Sequence, residues 1–289
     1  MSRYSHVHEA LRDVMALDGA GRIEHLRKDR WIDYPRAIDA IAELEVLLNT
    51  PPRTRMPCLL IYGDSGMGKT MIIEKLKRAH RPSYDRRRRA TQIDVLTVQM
   101  PARPSEARFY GQILKAIGAP HRPNERLAAV EPIALGLLHQ IKPRMLVVDE
   151  VHNLLASTGR EQRVALNLLK FLANDLACSV VDLGTRDAQA AMQTDPQIAS
   201  RFRAMELPRW QEDEAATKFL KSFERLLPLK EPSRLGERGL ARVILERSGG
   251  DTGEIAEMVT RAAELAIRRG DERITRDILD AAYPRRWIQ

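Results

Sequence analysis

Apolar and polar positions change rhythm twice along this chain. From Arg36 to Leu48, after Pro35, apolar residues fall at Ile38, Ile41, Leu44, Leu47 and Leu48, the spacing of one helix face, and Pro51 and Pro52 end that helix. From Met56 onward, short apolar runs alternate with longer amphipathic stretches. Five runs read as buried strands: Cys58 to Tyr62, Ile93 to Met100, Met145 to Val148, Ser179 to Leu183 and Ala204 to Leu207. Between them the spacing predicts helices over Thr70 to His80, Glu106 to Gly118, Arg126 to Gln140 and Arg163 to Ala177, the last with Val164, Leu168, Leu172 and Leu176 in one row. Continuous apolar strands joined by helices predict a parallel sheet covered by crossover helices. Pro132 either kinks the third of these helices or marks its first turn.

After Pro208 the strand pattern ends. Helices are predicted at about Glu212 to Leu227, Ser233 to Arg247, Thr252 to Arg269 and Thr275 to Tyr283, with Gly249 and Gly250 at a helix end and Thr275 as an N-cap. The chain therefore divides into an N-terminal extension (1–30), an α/β core with a five-stranded parallel sheet (31–208) and a small all-helical domain (209–289). The extension is polar, mixed in charge and without a sustained apolar stripe, which leaves partner contact and disorder both open.

Composition sharpens this picture in four ways. The 289 residues, 44% hydrophobic and 30% charged, supply enough apolar surface for a substantial core and exclude a wholly disordered chain. With 47 Lys and Arg against 39 Asp and Glu the net charge is +8, which favours a polyanionic partner. No run approaches the roughly 18 apolar residues of a membrane span, and the start lacks the apolar block of a secretory signal, so a cytoplasmic protein is expected. Cys58 and Cys178 each sit in a buried apolar run, which fits a reducing compartment and leaves no cysteine-based metal site.

Gly63-Asp64-Ser65-Gly66-Met67-Gly68-Lys69-Thr70 fits the phosphate-loop pattern G-x-x-x-x-G-K-[ST] and lies where that pattern requires, after an apolar strand and before an amphipathic helix. Glycines there let main-chain N–H groups converge on phosphate oxygens, and the helix N-terminus adds the positive end of its dipole. Lys69 is placed to reach the β and γ phosphates of ATP, and the Thr70 hydroxyl to join the shell of Mg2+. A glycine-rich turn with a solvated lysine is the plain alternative, which the flanking strand and helix disfavour.

Met145 to Glu150 is an apolar strand closed by two carboxylates. Asp149 there can hold Mg2+, directly or through water, and Glu150 can polarise the water that attacks the γ phosphate. The nearby His152 invites comparison with helicases carrying Asp-Glu-x-His. No second helicase-like core follows, so His152 is read as a structural or coupling residue and Asn153 is left open. Thr185, at the end of the apolar run Val180 to Gly184, is a candidate sensor of the γ phosphate, with a plain strand-end cap as the equal alternative. Ser200-Arg201-Phe202-Arg203 precedes the last strand, where an arginine can project toward the nucleotide of a neighbouring subunit. Arg201 is the first candidate, Arg203 the second, and an ordinary surface arginine the alternative.

Taken in order, a phosphate loop, the Leu-Val-Val-Asp-Glu strand, a polar strand end, a Ser-Arg-Phe segment and a helical lid resemble an AAA+ ATPase over about residues 31–283. More narrowly, Trp31-Ile32-Asp33-Tyr34-Pro35-Arg36-Ala37, the loop GDSGMGKT, and the blocks LVVDEVHNLL, DLGTRDA and SRFRAMELP look like the TniB proteins, ATP-dependent regulators of DDE-type transposases similar in role to TnsC and the Mu B protein. The resemblance implies a slow, DNA-stimulated ATPase that assembles as a ring or helical filament on duplex DNA without sequence preference. It also implies a TniA-like DDE transposase as partner, a TniQ-like targeting protein as a further one, and hydrolysis that remodels or removes the oligomer. One departure stands out. Many AAA+ lids carry an arginine at a glycine-containing helix start that touches the γ phosphate; the matching stretch here, Gly250-Asp251-Thr252-Gly253-Glu254-Ile255, offers Glu254, so either Arg261 substitutes or the contact is absent.

Contacts to DNA phosphates need arginines and lysines on accessible loops. Arg103, Arg108, Arg122 beside His121, and Arg126 lie between the phosphate loop and the Asp149 strand, where the resemblance also places the surface lining a filament, and Pro101, Pro104, Pro120 and Pro123 keep these segments in loops. A solvated loop surface is the alternative for each. The run Arg86 to Arg89 binds DNA or is an exposed connector, and its self-repulsion favours the connector. Two other functions remain in view: an AAA+ helicase loader or replication initiator, and a nucleotide-switched signalling ATPase that binds proteins.

Overall fold

The five long apolar runs pair as one parallel sheet. A computed structural model describes residues 4–86, 90–122, 125–156, 158–193 and 200–284. The strands are β1 (Cys58–Tyr62), β4 (Val95–Gln99), β5 (Met145–Asp149), β6 (Ser179–Gly184) and β7 (Phe202–Glu206), in the order β4-β5-β6-β1-β7. The central β6 is buried along its whole length, as a strand covered on both faces must be. Registers such as Tyr62 with Gly184 and Gln99 with Asp149 bring the C-terminal ends of β1, β4, β5 and β6 to one edge. In parallel sheets that edge is where ligands bind.

Around the sheet run α3 (Pro35–Leu48), α4 (Lys69–Ala79), α5 (Glu106–Ile117), α6 (Leu127–Ile141), α7 (Gly159–Asp175) and α8 (Arg186–Gln193). Cys58, Leu60, Val98, Leu146, Val148 and Val180 on one sheet face form a continuous core with Tyr110 and Ile113 of α5, Leu138 of α6 and Leu172 of α7. A capping box between Thr158 and Glu161 starts α7 several residues before the predicted Arg163. Pro132 lies inside α6, so it does not mark the first turn. A short antiparallel hairpin, β2 (Ser83–Asp85) with β3 (Ala90–Gln92), precedes β4 and shortens the strand predicted from Ile93. Of the basic run, Arg87, Arg88 and Arg89 lie outside the described residues, as does Pro123.

The predicted apolar face of α3 needs correction. Ile38 is 51% exposed, while Ala37, Ala40, Leu44, Leu47 and Leu48 are buried. The buried stripe is turned by one residue at its start, because the small alanines permit close packing that a hydropathy pattern undervalues.

The chain forms two compact units, one of Ala40–Asp64 and Lys69–Leu207, the other of Met1–Asp39, Ser65–Gly68 and Pro208–Gln289. In the second unit lie α1 (Arg12–Met15), α2 (Gly19–Leu26), α9 (Glu214–Glu224), α10 (Arg238–Ser248), α11 (Thr252–Arg269) and α12 (Arg276–Ala282). Thr275 caps α12 as expected, accepting from the Ile278 amide at 3.3 Å. Where the sequence predicts a separate extension, the structure packs the N-terminal segment into this helical unit. Arg22, only 3% exposed, makes a two-pronged pair with Glu272 at 2.7 and 2.6 Å and donates to the Pro228 carbonyl at 2.9 Å. Val7, Leu11 and Met15 pack with Leu226. Tyr34, Trp210 and Phe219 form an aromatic cluster in which Trp210 and Phe219 stack at 4.5 Å. No described helix is long and apolar enough to cross a membrane.

Candidate functional site

The phosphate loop leaves β1 at the ligand-binding edge. The Gly63 amide donates to the Gly184 carbonyl at 3.2 Å, and a Cβ on Gly63 would lie 2.4 Å from the Leu207 carbonyl oxygen, so only glycine allows the three segments to meet there. Gly66 and Gly68 have φ values of +79° and +85°, the left-handed turns by which such a loop curls its amides inward. Lys69 then opens α4 and folds its ammonium back to donate to the Gly63 and Asp64 carbonyls at 2.8 and 2.7 Å. Next to it the Thr70 hydroxyl donates to Oδ2 of Asp149 at 2.9 Å.

Asp149 ends β5 with both carboxylate oxygens engaged, since Oδ1 accepts the Glu150 amide at 2.8 Å. Glu150 turns sharply out of the strand with φ +58°, an uncommon value for a residue with a side chain. Thr185 follows β6 directly beside the start of the loop, and its hydroxyl faces the Ala188 amide at 3.5 Å, so the cap is present at a long distance. Lys69, Thr70, Asp149, Glu150 and Thr185 thus gather at one edge. An ammonium, a helix N-terminus and a hydroxyl beside a carboxylate form a donor set that fits a magnesium-bound triphosphate.

Arg201 is not part of that gathering. Its carbonyl accepts from the Cys58 amide at 3.4 Å, at the opposite end of β1, and its guanidinium donates to Asn174 at 3.0 Å. Arg203 pairs with Glu43. Five strand residues at about 3.3 Å each separate Arg201 from the phosphate edge by about 16 Å.

Arg186 escaped the sequence reading. It stands one position past Thr185, 2.7 Å from Glu206 and 3.6 Å from Asp64 of the loop, and ties three strand ends together. The only sequence signal for it is a basic residue directly after the polar strand end. Tyr62 completes this group, donating to Glu206 at 3.4 Å, and burial together with the Glu206 charge pushes its phenol up. Two positions before Gly184, Asp182 is fully buried with no partner for either oxygen among the described residues, and burial holds its carboxyl well above the usual range. Burial likewise raises the Cys58 thiol to about 11 and the Cys178 thiol to about 12.

In the helical unit, the start of α11 meets the loop tip at Gly253 and not at Glu254. The Gly253 amide donates to the Gly66 carbonyl at 3.0 Å, and a Cβ on Gly66 would lie 2.4 Å from the Asp251 carboxylate oxygens. Glu254 turns away to accept from the Tyr283 hydroxyl at 2.5 Å, and Arg261 pairs with Glu257 and lies over the Tyr283 ring. One residue along a helix turns the side chain by about 100°, so Gly253 and Glu254 face different surroundings.

The basic candidates are all exposed. Arg103 and Arg108 are joined, Arg108 donating to the Arg103 carbonyl at 3.1 Å. Their loop leaves β4 at the phosphate edge, where the Met100 amide donates to the Asp149 carbonyl at 2.8 Å. The segment bearing Arg122 places His121 against Gly111 of α5, whereas Arg126 occupies the N-cap position of the separate helix α6 without a side-chain capping bond.

A family model described as Bacterial TniB protein matches residues 22–212. No curated protein matches the chain. Among solved structures it is similar to Cdc6p from Pyrobaculum aerophilum, with a TM-score of 0.65 and 15% identity over 90% of this chain and 70% of that one. It is also similar to the ADP form of the Aeropyrum pernix ORC2 protein, with a TM-score of 0.63 and 18% identity over 90% and 71%. The Aeropyrum pernix ORC1 protein in complex with DNA gives 0.61 and 17% over 90% and 68%. At 15–18% identity these likenesses show a shared fold.

Proposed function

The chain belongs to the TniB family, and from that premise we propose that it is an ATP-dependent regulator of DNA transposition that assembles on duplex DNA and engages a DDE-type transposase. The observation that carries the nucleotide half of this reading is the Thr70 hydroxyl 2.9 Å from the Asp149 carboxylate at the head of the helix that follows the loop. Those two groups would hold Mg2+, which when bound neutralises phosphate charge. Lys69 exchanges its two loop carbonyls for β and γ phosphate oxygens, and the amides of Gly63 to Thr70 bind the remaining oxygens. Glu150 takes the proton of the attacking water, and Thr185 orients that water or the γ phosphate. Arg201 lies at the far end of the sheet from this chain's own phosphate edge, which supports a role at the site of a neighbouring protomer.

The DNA half is supported by the net charge of +8, by the exposed arginines 103, 108, 122 and 126, and by the DNA-bound ORC1 protein of similar fold. Head-to-tail contacts that place one protomer's arginine at the next protomer's nucleotide build rings or open helices, and ATP then controls assembly. Hydrolysis dismantles the oligomer; a TniQ-like protein is a further partner. ATP hydrolysis measured with and without duplex DNA tests the proposal. The expected result is stimulation by DNA that is lost in Glu150→Gln, and a chain that binds but never hydrolyses ATP in the presence of DNA refutes it. Replacing Arg103 and Arg122 together by Ala is expected to weaken DNA binding at every sequence and to flatten the log–log salt slope by about 1.8; an unchanged slope removes these two residues from the interface.

A further inference from the structure

The turn after β5 holds a contact that the nucleotide reading does not use. Nε2 of His152 lies 3.0 Å from Oε2 of Glu150. The other ring nitrogen, Nδ1, is buried and meets no partner among the described residues. A carboxylate only accepts, so a pairing of the ring with Glu150 at this distance calls for a proton on Nε2.

The scaffold behind the ring is rigid. Val151 and Leu154 anchor the turn at 1% and 5% exposure. The Asn153 side-chain amide donates to the Met100 carbonyl at 2.9 Å, and the Asn153 main-chain amide donates to the Glu150 carbonyl at 2.9 Å. Glu150 itself has a partly exposed side chain on a left-handed residue, the single link between the end of β5 at Asp149 and a short 3-10 helix that starts at Val151. Among the described residues its carboxylate pairs with His152, at Oε2, and the side chain is 41% exposed.

We propose that His152 is a positioning residue for hydrolysis: its imidazole, locked as the Nε2–H tautomer on the Val151–Leu154 turn, holds Oε2 of Glu150 so that Oε1 faces the attacking water. The inference rests on Glu150 being the base, and its test separates the two claims. In 15N-labelled full-length protein, imidazole correlations assigned by comparison with His152→Gln are expected to show the proton on Nε2, and Glu150→Ala is expected to shift that signal. A proton on Nδ1, or a signal indifferent to Glu150→Ala, overturns the inference while leaving the ATPase reading intact. In turnover assays, His152→Ala is expected to lower kcat about tenfold, with the affinity for a nonhydrolysable ATP analogue unchanged. His152→Gln, whose amide nitrogen can occupy the Nε2 position, is expected to restore most of the rate. Unchanged kcat in His152→Ala, lost analogue binding, or no recovery in His152→Gln each refutes a positioning role. Full activity of Glu150→Gln instead refutes the choice of base.

Discussion

If Arg201 works only on a neighbour's nucleotide, two dead chains must be able to rescue each other. The geometry sets this up: Arg201 precedes β7 level with Cys58, while the phosphate loop starts after Tyr62, five strand residues and about 16 Å away, which is further than an arginine side chain extends. Arg201→Ala keeps its own phosphate loop and Glu150 but gives its neighbour no cation, and is expected to lose on the order of 10³ in turnover. Glu150→Gln has a dead site but an intact Arg201. In a one-to-one mixture, a competent junction needs an Arg201→Ala chain supplying the site and a Glu150→Gln chain supplying the arginine. Random assembly makes about a quarter of junctions competent, so the mixture should recover about a quarter of the wild-type rate per protomer. Steady-state ATP hydrolysis with saturating duplex, measured across mixing ratios, should peak at equal amounts. A mixture no more active than its parts at every ratio refutes the reasoning, as does an Arg201→Ala chain that is fully active alone.

Asp182→Asn should remove a pH-dependent penalty. A buried carboxyl held protonated in the fold, but ionised in the unfolded chain above about pH 4, lowers stability by about 1.4 kcal/mol per pH unit until the folded group itself ionises. Urea unfolding of both chains should therefore show the Asn variant gaining on the wild type as pH rises from 4, and a constant difference would rule this out. Arg22→Met should destabilise the helical unit by about 3–5 kcal/mol, since it leaves Glu272 half-buried without its main partner; a midpoint within error of wild type would show that the pair contributes nothing. Gly66→Ala should abolish binding of an ATP analogue, because φ +79° is strained for any side chain and the new Cβ would meet the Asp251 carboxylate; undiminished affinity would show that the loop tip yields.

What could be read from sequence was what is written in consecutive residues. The loop Gly63 to Thr70 and the strand ending in Asp149 and Glu150 are contiguous, flanked by the elements their chemistry needs, and they meet through the Thr70–Asp149 bond. Continuous apolar strands likewise announced the parallel sheet. Features carried by few or polar residues stayed hidden. Helix α8 buries little beyond Ala188 and Met192, and the hairpin of β2 and β3 has three residues per strand, so neither has a period to detect. The N-terminal segment looked unattached because its main anchor, Arg22 with Glu272, joins residues 250 positions apart. The contact of Gly253 with the Gly66 carbonyl has no sequence signal, because it joins residues 187 positions apart. Arg186 acts through strand ends that are adjacent only once the sheet has formed.

The central claim is that nucleotide held by the loop at Lys69 binds protomers to one another around DNA. Electron microscopy of the protein with duplex DNA and a nonhydrolysable ATP analogue tests it most directly. The account predicts regular rings or filaments when both ligands are present, and none without nucleotide or with Lys69→Ala. Lys69→Ala chains coating duplex as densely as wild type in nucleotide-free buffer would contradict it.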